Sequence, residues 1–207
     1  MPLDRIIAKA REIVHVEGAA ALTMRSLAHR LQTSPTVLYR AVTDRAELLD
    51  KIVDATLEEI ELEFDPENNE WIDECRSAAT TMFRVLCTHD GVAPLMIERV
   101  PTGPRSIVLR ESLLSMLLGH GLAPEDASLV YAALVRTVIG FAAQRVGSPE
   151  AVSRESERLS AAYRNFDASQ LPATVAVARI LPFQSIETEF EFGLELMLRG
   201  LAHRLDQ

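Results

Sequence analysis

The chain is 207 residues long, 48% apolar, and carries a formal charge of −9 at neutral pH. That length and apolar share can fill the core of one large domain or two small ones, which excludes an intrinsically disordered chain. The acidic balance excludes a surface suited all over to a polyanion. The charge is uneven, however: residues 1–50 hold seven Lys/Arg against six Asp/Glu, and from Ala19 to Val42 there is no acid at all. Such asymmetry predicts two halves with different partners.

Helical periodicity dominates throughout, and alternating strand patterns are absent. Leu3, Ile6, Ile7, Ala10, Ile13 and Val14 form one apolar stripe, and Gly18 ends this first helix. Thr23 is the expected N-cap of a second helix whose apolar side is Met24, Leu27, Ala28 and Leu31. Ser34 is expected to cap a third helix with Pro35 in its first turn, where a missing N–H costs nothing. Asp44 and Glu47 form a capping-box pattern before a fourth helix, expected over about 45–64. An acidic run from Glu58 to Glu74, containing Pro66, reads as the end of that helix, a break near 64–69 and the start of the next. Helices then follow at about 70–89, 92–99, 105–119 and 124–146, with some helix in 150–164 and 171–180 and a last helix at about 184–205. The fold class is therefore all-α, with residues 1–46 as one domain and 47–207 as a larger second one.

Cys75 and Cys87 fit no metal-ligand spacing and read as two reduced thiols of a cytoplasmic protein. The residues from Met1 to Arg5 have neither the basic nor the long apolar region of a signal peptide. No segment reaches the roughly 18 apolar residues of a membrane span; 129–143 comes closest and is interrupted by Arg136. No nucleophile elbow, phosphate-binding loop, dinucleotide fingerprint or zinc-protease motif appears, so neither an enzyme nor a cofactor is expected.

The acid-free window has the form of two short helices joined by a tight turn. A helix that reads a major groove presents compact groups at its N-terminal end. Pro35, Thr36 and Val37 stand there, and their methyl and hydroxyl groups suit base edges. Tyr39 and Arg40, one turn on, would reach phosphates, as would Arg45; Arg25 would reach a guanine edge or a phosphate. Leu38 would point inward. The wider string resembles the N-terminal domain of the tetracycline-repressor family over about residues 3–55. It comprises Ala10-Arg11-Glu12-Ile13-Val14, Glu17-Gly18, Leu22 to Ala28, Ser34 with Leu38-Tyr39-Arg40, and Arg45 to Leu49. The later segments Gly91 to Leu95, Gly119-His120-Gly121-Leu122, Gly140-Phe141 and Phe190 to Glu195 look like the tetracycline-repressor-like branch. The resemblance implies a homodimeric repressor. Its contacts to double-stranded DNA would fall on Thr23, Arg25, Ser34, Pro35, Thr36, Val37, Tyr39, Arg40 and Arg45. Gln32 stands where the family usually has Gly, and a left-handed backbone there costs Gln on the order of 1 kcal/mol.

In the last helix, Phe190, Gly193, Leu194, Met197 and Leu201 follow a three-to-four spacing, and the helix opened by Pro124 carries the small residues Ala133 and Gly140. The two helices from two copies could form a four-helix interface; alternatively both stripes fill the core of one chain. A sensor also needs a cavity. Phe83, Leu86, Leu109, Leu113, Met116, Leu117, Leu134 and Val138 are the candidates for contacts with a small, mostly apolar effector, or else plain core. Arg136, a charge in an apolar helix, would pair with an anionic ligand or with an acid from another helix. His89 and His120 read as loop or helix-end residues in preference to ligand or metal contacts. The expected function is a ligand-responsive repressor on a palindromic operator. The rival is a small helical ligand carrier or interaction module without DNA binding.

Overall fold

In the computed structural model, residues 1–64, 70–145 and 147–205 are described. Among them no strand occurs. The α-helices are α1 (Leu3–Glu17), α2 (Met24–Arg30), α3 (Pro35–Leu38), α4 (Arg45–Leu57), α5 (Trp71–Thr88), α6 (Val92–Glu98), α7 (Pro104–Gly119), α8 (Pro124–Ala142), α9 (Pro149–Arg164), α10 (Pro172–Val177) and α11 (Ile186–Leu205). Single 3-10 turns lie at Ala19–Ala21 and Leu181–Phe183. Pro35, Pro104, Pro124, Pro149 and Pro172 each stand in a first turn, where the absent N–H would have had no helical partner.

The stripe of α1 buries Ile6, Ala10, Ile13 and Val14 against α2 and α4, and Gly18 ends the helix at φ +81°. Between α2 and α3 the Gln32 backbone is left-handed, at φ +52°. The Gln32 N–H donates to the His29 carbonyl and the Thr33 N–H to Ala28, so two end carbonyls of α2 are satisfied across the turn. Leu38 is fully buried and seats the single turn of α3 on this core.

Two expected boundaries shift. The helix expected over 45–64 stops at Leu57, because the chain turns to bury Ile60 completely and the Arg105 guanidinium takes the Leu57 and Ile60 carbonyls. The helix expected to reach 146 stops at Ala142. Residues 65–69 of the expected break, with Pro66, lie outside the described residues, as does residue 146.

In the larger part, α5 and α8 make the most extensive helix pair, with α11 across both and α6 and α7 against α8. Phe83 of α5 stacks on Phe190 of α11 at 3.9 Å between ring centres, and Phe141 of α8 meets Phe190 edge-on at 5.7 Å. Such pairs add specific geometry to simple burial. Helix α4 packs on α1 on one side and on α6 and α7 on the other, so it belongs to both parts. Helix α9 packs chiefly on α10 and the Leu181–Phe183 turn, with Ala178 fully buried among them.

Candidate nucleic-acid interface and ligand cavity

The N-terminal surface is built on caps. The Thr23 hydroxyl accepts the Ser26 N–H at 2.9 Å and the Ser26 hydroxyl accepts the Thr23 N–H at 2.9 Å, a reciprocal pair that fixes where α2 begins. Ser34 sits at the N-cap position of α3 without the expected side-chain bond. The Val37 N–H goes to the Ser34 carbonyl at 3.0 Å, and the exposed hydroxyl is left for another partner. Thr23, Arg25, Ser34, Thr36, Tyr39 and Arg40 are exposed, whereas Pro35 and Val37 are half-buried. Tyr39 is 53% exposed although aromatic. Neither Arg25 nor Arg40 has an ion pair or side-chain hydrogen bond among the described residues. Arg30 is ion-paired with Glu17.

Arg45, expected to touch the DNA backbone, is engaged within the fold. Its Nε donates to the Leu22 carbonyl and a terminal nitrogen to the Ala19 carbonyl, both at 2.6 Å, so it straps α4 to the link between α1 and α2. The capping box of α4 is also displaced. The Asp44 carboxylate accepts the Glu47 N–H, but the Glu47 carboxylate reaches past Asp44 to the Thr43 N–H and hydroxyl, which hold it below the usual carboxylate range.

In the C-terminal part a cavity of about 710 Å³ opens between the end of α4 and helices α5 to α8. Its size lies in the range that takes drug-sized molecules. Of the expected ligand residues, Leu109, Leu113 and Arg136 line it. Leu86, Met116, Leu117, Leu134 and Val138 are core, and Phe83 faces a second cleft of about 550 Å³ beside α11. The sequence reading missed Leu57, Met82, Met96, Arg110, Tyr131 and Val135 in the wall. Arg110 alone carried a legible signal, as a base set between Leu109 and Leu113 on α7. Its Nε donates to the Tyr131 hydroxyl and a terminal nitrogen to the Pro101 carbonyl, each at 3.2 Å.

The cavity adjoins a reciprocal clasp. The Asp54 carboxylate of α4 accepts the Arg105 N–H at 3.0 Å and the Ser106 N–H at 3.2 Å at the start of α7. Arg105 in turn donates to the Leu57 carbonyl at the end of α4 and to the Ile60 carbonyl just beyond it. Each helix end thus supplies the partners that the other lacks. A Cβ on Gly103 would overlap the Asp54 carboxylate, so only glycine lets the two helices close up.

His89 and His120 lie in tertiary links away from the cavity lining. His89 Nε2 is 2.6 Å from Glu59, which also accepts from Arg11 at 2.9 Å, joining α1 to the end of α5. His120 Nε2 is 3.1 Å from the buried Glu74. Among the described residues no cluster of three or more His, Cys, Asp or Glu is arranged to hold a metal ion. Cys75 and Cys87 are free thiols.

The expected dimer residues divide. Phe190 and Leu194 are buried within one chain, because α11 turns them onto α5 and α8, so they are core and not an outward face. Gly193 faces Phe141 of its own chain and Gly140 lines the cavity. Ala133, Met197 and Leu201 are half-buried. The outward apolar residues are instead Phe192 and Leu196 on α11, at 67% and 55% exposed, and Leu129 on α8.

The profile described as "Tetracyclin repressor-like, C-terminal domain" matches residues 65–205. The chain belongs to the tetracycline-repressor family. It is 31% identical over 137 residues to an HTH-type transcriptional regulator of Saccharopolyspora erythraea, a match that covers 66% of this chain and only 58% of that protein. It is 24% identical over 208 residues to the tetracycline repressor protein class E of Escherichia coli, covering 100% of this chain and 93% of that one. Among solved structures, the TetR family protein ActR of Streptomyces coelicolor in complex with actinorhodin has a TM-score of 0.81 at 31% identity, covering 98% of this chain and 95% of that one. ActR is also solved with (S)-DNPA. No described helix is long and apolar enough to cross a membrane.

Proposed function

We propose that this family member is a cytoplasmic, homodimeric, effector-responsive repressor that performs no catalysis. Two copies present α3 to successive major grooves of a palindromic operator, Thr36 and Val37 meeting base edges and Tyr39 and Arg40 the phosphates. The observation that carries this reading is the acid-free, exposed α2–α3 surface on an acidic chain, with the Arg25 and Arg40 guanidinium groups uncommitted. Ligand-bound ActR structures support an effector role for the cavity here, and its mainly apolar wall suits a polycyclic molecule. The Asp54–Arg105 clasp supports a route from the cavity to α4 and so to the DNA-reading heads. An effector that fits only one tilt of α4 would shift the protein toward that state by its differential affinity.

The test is a mobility shift with the DNA upstream of the chain's own gene, alongside light scattering. Wild-type protein should bind as a dimer. Arg25→Ala should lose about 1–3 kcal/mol of binding if it reads a base, and Tyr39→Ala should weaken binding while the fold is kept. No sequence-selective shift from the folded dimer would favour the ligand-carrier reading.

A further inference from the structure

The cavity wall holds two charged side chains, Arg110 and Arg136, and no acid. This is the reverse of a chain with a net charge of −9. Among the described residues neither guanidinium lies within ion-pair distance of a carboxylate. Arg110 is held by two neutral acceptors only, the Tyr131 hydroxyl and the Pro101 carbonyl. A guanidinium has five N–H donors in a planar fork, so Arg110 is fixed in place with donors to spare. Tyr131 accepts from Arg110 and keeps its own O–H free to donate. The Ser106 hydroxyl is already spent on the Gly103 carbonyl at 2.7 Å. Arg136 stands exposed on the rim. Around these groups the wall is made of Leu, Val, Ile and the thioethers of Met82 and Met96, which adapt to flat rings.

We propose that the effector is an anion: a flat aromatic molecule carrying a carboxylate, forked on Arg110 with the Tyr131 hydroxyl as third donor, and entering past Arg136. The proposal rests on reading this cavity as the effector site. It gives Arg110 a direct consequence. A carboxylate that takes the spare donors and draws the guanidinium toward itself lengthens its bond to the Pro101 carbonyl. Pro101 lies just before the Gly103–Ser106 segment that clasps α4. Charge neutralisation therefore bears on the segment that holds the DNA-linking helix.

The experiment titrates purified wild-type protein calorimetrically with three matched pairs: the carboxylates of naphthalene, anthracene and anthraquinone at ring position 2, each against its neutral carboxamide. At least one acid should bind about tenfold or more tightly than its amide, as expected for charge-assisted hydrogen bonds. Arg110→Gln should erase the acid–amide difference, the acid losing about tenfold more affinity than its amide. Arg110→Lys, which keeps the charge and loses the fork, should retain part of it, and circular dichroism checks that both variants are folded. No acid preference in any of the three pairs, or a preference that survives Arg110→Gln, overturns the proposal. Acid-selective binding that leaves operator affinity unchanged would keep the anion site and refute the effector reading.

Discussion

Gln32 holds φ +52° in a turn whose two backbone bonds close the end of α2. The turn needs a left-handed residue, and Gln pays for its Cβ there by about 1 kcal/mol. Gln32→Gly should therefore raise the thermal midpoint by about 2–4 °C in a chain of this size, read by circular dichroism; an unchanged or lower midpoint would contradict it. This position was legible in the sequence because a turn is local chemistry. Arg45 was not. Its type and place suit a phosphate contact, but its partners are the Ala19 and Leu22 carbonyls, more than 20 residues earlier in the chain. Arg45→Ala should lower stability in urea unfolding by about 1–2 kcal/mol as two part-buried carbonyls lose a charged donor, whereas Arg40→Ala should leave stability unchanged and weaken DNA binding. Glu59 adds a pH signature. The adjoining His89 ring, with Arg11 beside it, holds the Glu59 carboxyl below its ordinary value of 4.5. A depressed native pKa stabilises fully above the unfolded value and is lost as pH falls through the native one. Acid unfolding should thus begin earlier in wild type than its neutral-pH stability implies, and Glu59→Gln, weaker at pH 7, should lose less between pH 5 and 3.

At the scale of helices, the stretches governed by their own ends were readable: Gly18 and Thr23 mark boundaries that the structure keeps, as does the proline opening α8. The end of α4 was not, because it is set by Arg105 from α7 and by burial of Ile60. The same long-range pairing hid the cavity wall, since Arg110 and Tyr131 come from different helices. The Asp54–Arg105 clasp makes a sharp prediction. Asp54→Ala leaves two N–H groups at the start of α7 without their acceptor and should cost about 0.5–2 kcal/mol in urea unfolding. Its greater effect should be functional: effector binding should persist while its influence on DNA affinity falls. Equal losses of stability and coupling in a remote control of matched stability, such as Ala178→Gly, would argue against a special role for the clasp.

For the whole molecule, the all-α organisation followed from periodicity, but the outward face of α11 did not. The three-to-four spacing that contains Phe190 and Leu194 is the stripe that fills the core, and the adjacent Phe192 and Leu196 remain exposed. Spacing marks a stripe without saying which side of a chain, or of a pair of chains, it covers. If α11 forms the dimer contact, Phe192→Glu with Leu196→Glu should halve the mass seen in light scattering and abolish operator binding, with helix content retained. A dimer mass that survives the double change would move the interface elsewhere.

The neutralisation of Arg30 by Glu17 and the diversion of Arg45 into the fold leave Arg25 and Arg40 as the free guanidinium groups of each α2–α3 surface. Four such groups in a pair of chains release few counterions from a duplex. The logarithm of affinity should then fall against the logarithm of potassium concentration with a slope of only about −3 to −4. A doubling of potassium would weaken such a grip only about tenfold, where a surface with ten such groups would lose roughly several hundredfold, so operator occupancy would answer more to the effector than to the ionic surroundings.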